Sequence, residues 1–142
     1  MPSASRSIVI NRPVAAVFDF FTTPANDQKW RDHVKDIHAH GHPAVGEVIH
    51  QTIAGPMGRG IAADIEITAY EPGSRYAFQV VAGPARPHGE FTFAPSGEGT
   101  EVTFSLSAEL TGLKKLMMAG PVQKSMDGEM ANLDKAKAVL EG

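Results

Sequence analysis

The sequence predicts an α+β fold: a strongly curved antiparallel sheet of seven strands wrapped around one long C-terminal helix, with two short helices after the first strand. Three observations point there. From His33 to about residue 110 the apolar residues recur with period two between turn signals, while segments at both ends recur with helical period. The resulting order is strand, two helices, six strands, helix, and a bent sheet gripping a single helix buries both sets of apolar residues.

The elements follow in order. Ser5 to Asn11 is short and β-branched, and Pro13 suits the first turn of a helix, where its missing N–H costs nothing. Val14, Val17, Phe18 and Phe21 then fall at i, i+3, i+4 and i+7 with Asp19 opposite, which predicts a core-facing helix of about two turns. Thr23-Pro24 stops it, and PANDQKW forms a second short helix ending near Trp30, the only tryptophan.

Six strands are expected over residues 34–40, 45–54, 60–71, 74–82, 88–95 and 100–110. They are separated by Gly41-His42-Pro43, Gly55-Pro56-Met57-Gly58, Pro72-Gly73, Gly83-Pro84 and Ser96-Gly97-Glu98-Gly99. Ile61, Ala63, Ile65 and Ile67 alternate with Asp64, Glu66 and Thr68; Val102, Phe104 and Leu106 alternate with Thr103, Ser105 and Ser107. Each strand therefore has one buried and one wet face. The tail returns to helical period, with Leu113, Leu116 and Met117 before Pro121 and Met126, Met130, Leu133, Lys137 and Leu140 after it, and the second set marks a helix of about five turns that Gly120-Pro121 starts or kinks. No repeat or break in composition divides the chain, so residues 1–142 read as a single domain.

Composition excludes several function classes. A net charge of −3 with scattered Lys and Arg offers no attraction for nucleic acid or an anionic membrane. The absence of cysteine removes disulfides, thiolate metal sites and a Cys nucleophile. No apolar run is long enough for a membrane span or a signal-peptide core, so a cytoplasmic protein, monomer or homodimer, is expected. The glycine-rich GPMGRG (55–60) lacks the Lys-Ser/Thr ending of a phosphate loop, and no cofactor is expected.

Four segments carry a resemblance: SIVINRPVAAVFDFFTTPANDQKW, ITAYEPGSRYAF, FTFAPSGEGTEVTF and ANLDKAKAVLE. Together, in this order, they resemble the START-like (SRPBCC) superfamily, close to its polyketide cyclase/dehydrase-type branch. The resemblance implies the helix-grip fold and a cavity between sheet and C-terminal helix for a small apolar or amphipathic molecule. The positions that match cavity-side residues are Ile65, Ile67, Tyr76, Phe78, Phe91, Phe93, Val102, Phe104 and Leu106, closed by Met117, Met126 and Met130. Four of the six methionines lie in this tail, where flexible thioethers fill an irregular core or adapt to a ligand.

Polar candidates are few. Tyr76 shares parity with Phe78 and Val80 and can offer its hydroxyl to a ligand, or bond a backbone carbonyl as an amphipathic core residue. In strand 45–54, Ile49 and Ile53 argue for Gln51 inside and His50 outside; the opposite register would make His50 the general base. Met57 and Arg59 sit on a hairpin at the cavity mouth, with Trp30 either flanking it or anchoring structure. The stretch DIHAHGHP concentrates His38, His40 and His42, but Ile37 and Ala39 should take the core, leaving the histidines in water. They read as a solvated strand and turn, and no metal site is expected. Asp64 and Glu66 likewise read as a wet face.

The leading expectation is therefore a protein that binds a small hydrophobic, aromatic or polyketide-like ligand. The alternatives are an aromatase/cyclase or dehydratase acting in the same cavity through Tyr76 or His50, and a protein-interaction module.

Overall fold

The computed structural model describes every residue except 1, 33, 39–43, 55–58 and 84, and of residue 114 the backbone alone. The elements are β1 (Ser3–Ile10), α1 (Val14–Thr22), a 3-10 turn (Pro24–Asn26), α2 (Asp27–Trp30), β2 (Val34–His38), β3 (Val48–Ala54), β4 (Gly60–Ala62), β5 (Ile65–Glu71), β6 (Arg75–Val80), β7 (His88–Ser96), β8 (Gly99–Ser107), α3 (Gly112–Ala131) and α4 (Leu133–Glu141). Seven strands run antiparallel in the order β1-β8-β7-β6-β5-β3-β2 as a curled half-barrel, with the short β4 paired to β3 beside this path. The expected α+β helix-grip architecture is the observed one.

The predicted periodicities account for most of it. Val17, Phe18, Phe20 and Phe21 of α1 are buried while Asp19 is exposed. The helix stops because the hydroxyls of Thr22 and Thr23 bond back to the carbonyls of Phe18 and Asp19 and Pro24 cannot continue it. The β5–β6 and β7–β8 turns place Gly73 and Gly97 at φ of 79° and 60°, where a side chain would be strained. The inner face of the sheet supplies Ile49, Ile65, Ile67, Tyr76, Phe91, Phe93, Val102, Phe104 and Leu106 to one core cluster, into which α1, α3 and α4 pack.

Two elements differ from expectation. The strand foreseen over 60–71 is broken at Ala63-Asp64, because the Asp64 carboxylate, not a ladder carbonyl, accepts the Gln51 N–H (3.2 Å). The C-terminal helical segment begins at Gly112, in keeping with the helical period from Leu113, but Gly120-Pro121 does not start it: Pro121 lies inside α3. Asn132, still in right-handed helical conformation, joins α3 to α4.

Beyond Pro121 the stripe Val122, Met126, Met130, Leu133 and Ala136 is buried. Before it, Leu113, Leu116 and Met117 are exposed at 76%, 85% and 73%. A helical repeat of 3.6 explains this, since the position four residues before Val122 is Met118, the half-buried neighbour that does reach the core. No helix among the described residues is long and apolar enough to cross a membrane.

Candidate functional site

Between sheet and α3 lies a cavity of about 140 Å³. The sheet contributes Ile49, Ile65, Tyr76, Phe78, Val80, Phe91, Phe104 and Leu106, the break before β5 contributes Ala63, and the helical side contributes Phe21, Trp30, Val122 and Met126. The aromatic wall is ordered by direct packing: Phe91 and Phe104, opposite one another on β7 and β8, stack at 4.1 Å and 5°. Trp30 meets Phe21, Phe91 and Phe104 edge-on.

One end of this apolar space is polar, and Arg31 organises it. The single turn of α2 places Asp27 and Arg31 four residues apart, and Arg31 Nη1 donates to Asp27 Oδ2 (3.0 Å) and to Gln51 Oε1 (3.1 Å). Its Nε and Nη2 grip the Glu129 carboxylate from α3 at 3.0 and 2.9 Å. One guanidinium thus ties α2, β3 and α3 together. All three charged side chains are largely withdrawn from water, with exposures of 15% for Asp27, 13% for Arg31 and 8% for Glu129.

Their electrostatics are those of one cation between two acids. Burial pushes the Asp27 carboxyl up to about 6 against the opposing pull of Arg31, and the Glu129 charge adds to the rise. For Arg31, burial works against the charge, but Glu129 and Asp27 outweigh it and the guanidinium stays protonated. Burial also raises the Tyr76 hydroxyl, so it remains a neutral donor. That hydroxyl has no hydrogen bond to a described residue, and neither has the Gln51 amide NH₂, whose oxygen is turned to Arg31. The buried Trp30 indole N–H lacks a partner of normal geometry among the described residues, although it lies near enough to Asp27 to favour its anion.

Of the sequence candidates, Trp30, Gln51, Ile65, Tyr76, Phe78, Phe91, Phe104 and Met126 line this cavity. Ile67, Phe93 and Met130 are buried in the core outside the lining, and Met117 points to solvent. The β3 register puts Gln51 inside, 5% exposed, and His50 outside, where its Nδ1 meets Asp64 Oδ2 at 2.9 Å. His50 is therefore not among the lining residues. His38 is exposed beside Asp36, whereas Met57, His40 and His42 lie outside the described residues. Among the described residues no group of three or more His, Cys, Asp or Glu is placed to hold a metal ion.

Sequence reasoning missed Asp27, Arg31 and Glu129. The signal was present: Glu129 occupies an inward position of the stripe Met126, Met130, Leu133, and an acid there needs a partner.

A family model described as polyketide cyclase / dehydrase and lipid transport matches residues 1–140. The chain belongs to this START-like family. None of the curated proteins matches it. Among solved structures, a protein from Thermus thermophilus superposes with a TM-score of 0.78 at 20% identity, covering 96% of this chain and 95% of that one. A START superfamily protein from Mycobacterium smegmatis gives 0.79 at 11% identity, covering 98% and 97%. The di-domain ARO/CYC StfQ of the steffimycin biosynthetic pathway gives 0.77 at 14% identity, with 98% of this START-like chain matching half of that protein. At these identities the likeness is one of fold.

Proposed function

We propose that the protein binds a small hydrophobic or aromatic molecule in the cavity, with the ligand's polar group directed at the Arg31 end. The observation that carries this reading is an aromatic-walled cavity with donors at one end, the Gln51 amide and the Tyr76 hydroxyl, that have no partner among the described residues. Membership of a lipid-transport and cyclase family supports it. The volume matches a one-ring body, since a cavity of about 150 Å³ suffices for benzene.

Native mass spectrometry of the freshly purified protein, followed by organic extraction, tests the reading. A stoichiometric organic adduct is expected, lost in Phe78→Asp, which places a charge in the apolar wall. An adduct retained undiminished by the folded Phe78→Asp variant would sink the assignment to this cavity.

A second reading, an enzyme moving protons at a carbonyl compound, is favoured by one observation: Asp27 is poised near neutrality inside a sheltered site. Asp27 would exchange the proton and Tyr76 would hold the carbonyl oxygen. Turnover of a cyclic ketone substrate should then depend on a group titrating near 6 and be lost in Asp27→Asn. Turnover with an unchanged pH profile in that variant counts against it.

A further inference from the structure

We propose that the exposed apolar face on the first half of α3 docks the protein on an anionic lipid bilayer. The inference goes beyond the ligand-binding reading and stands independently of it, because it concerns a different face of the molecule.

Leu113, Leu116, Met117, Gly120 and Lys124 fall at i, i+3, i+4, i+7 and i+11, so they share one side of the helix. All of them are exposed. The opposite side is spent on the fold, where Met118 packs against the core and Val122 is buried in it. Among the described residues the other large exposed hydrophobics, Val9, Val45 and Val139, lie in three separate parts of the chain, as scattered surface residues normally do. Three large apolar side chains together on one helix face mark a contact surface instead.

The charge around this face is of one sign. Residues 110–126 hold Lys114, Lys115 and Lys124 and no Asp or Glu, in a chain whose net charge is −3. Lys115 and Lys124 are exposed. The nearest acids in sequence are Glu109 and Asp127, and the Asp127 carboxylate accepts a hydrogen bond from Gln123 Nε2 at 3.0 Å. The chain as a whole has no long-range pull toward an anionic membrane, but a membrane is met by one face at a time, and charges more than about 10 Å away are screened by salt. An apolar strip accompanied by lysines has the composition of a helix that lies in the headgroup layer, with Leu and Met below the phosphates and the ammonium groups level with them. A second copy suits the face poorly. A two-fold contact would gather Lys115 and Lys124 of both copies into one patch, and three side chains fall far short of the ~800 Å² per partner of a stable protein interface. A bilayer needs only shallow insertion and supplies the anions. The strip runs directly into Val122 and Met126 of the cavity wall, so a docked protein carries its cavity close to the lipid.

Flotation of the full-length protein with phosphatidylcholine vesicles, with and without about 30% phosphatidylglycerol, tests this. Binding to the anionic vesicles at about 0.1 M salt should exceed binding to the neutral ones at least roughly tenfold, and should fall back toward the neutral level at about 1 M salt. Leu116→Gln combined with Met117→Gln alters exposed positions only, and should lower binding to anionic vesicles about tenfold while leaving the thermal midpoint unchanged. Lys115→Gln combined with Lys124→Gln should erase the preference for anionic lipid. Absence of flotation with anionic vesicles overturns the proposal, and so does equal binding to neutral ones. Undiminished binding by the folded Leu116→Gln/Met117→Gln protein overturns it as well, since the contact would then lie elsewhere. Light scattering addresses the rival occupant: a concentration-dependent dimer abolished by the same two substitutions assigns the face to a second copy and overturns bilayer docking. The organic adduct seen by native mass spectrometry should persist in all these variants, so the ligand-binding reading and this one fail separately.

Discussion

Removing Arg31 would take the guanidinium from between two buried carboxylates, Asp27 and Glu129, and would open the link joining α2, β3 and α3. Arg31→Ala is therefore expected to destabilise the fold by about 3–5 kcal/mol, read as a lower urea midpoint. Combining it with Asp27→Asn and Glu129→Gln should recover part of the loss, since the stranded charges go too. A loss under about 1 kcal/mol for Arg31→Ala would mean that water already reaches the cluster. The same triad marks where sequence reading reached its limit. Gln51 could be placed inward because Ile49 and Ile53 share its parity on a strand. Asp27 and Arg31 sit on a single turn too short to show a face. Glu129 interrupts a hydrophobic stripe, and its partner lies 98 residues away in sequence, a pairing that only the fold reveals.

Phe78 and Gly89 face each other across β6 and β7, and the Phe78 ring covers the bare glycine so closely that an added Cβ would stand 2.2 Å from its tip. Gly89→Ala must push that ring off its seat, and the ring borders the cavity. The expected cost is about 1–3 kcal/mol, accompanied by a diminished organic adduct in native mass spectrometry. A variant with wild-type thermal stability and unchanged binding would show that the pair accommodates the methyl freely. The strands were legible because alternation survives in them, whereas the break at Ala63-Asp64 depends on one side chain replacing a ladder carbonyl, which no periodicity encodes. The tail shows a similar limit. Helical spacing is present on both sides of Pro121, yet only the part from Val122 onward meets the sheet, and the exposed Leu113, Leu116 and Met117 carry the same pattern without the contact.

Across the whole molecule, the raised Asp27 carboxyl links stability to pH. Its folded pKa of about 6 lies above the ordinary 3.8, so the native state binds this proton more tightly than the unfolded chain. The contribution is fully present below pH 3.8 and is lost as pH rises through about 6. Asp27→Asn should flatten that part of the profile in denaturation series between about pH 4 and 7, and an unaltered slope would assign it elsewhere. The order of elements, a global property written in the pattern of the chain, was legible from sequence, and with it the family. The cavity's polar end was not, because it is assembled from three distant segments. Its aromatic wall has one further consequence. Trp30 is the chain's sole tryptophan and is 2% exposed against Phe91 and Phe104. Excited selectively, this indole makes the protein its own fluorimeter: any shift or quenching of emission in the folded chain arises at the cavity wall, without a label and without a competing signal.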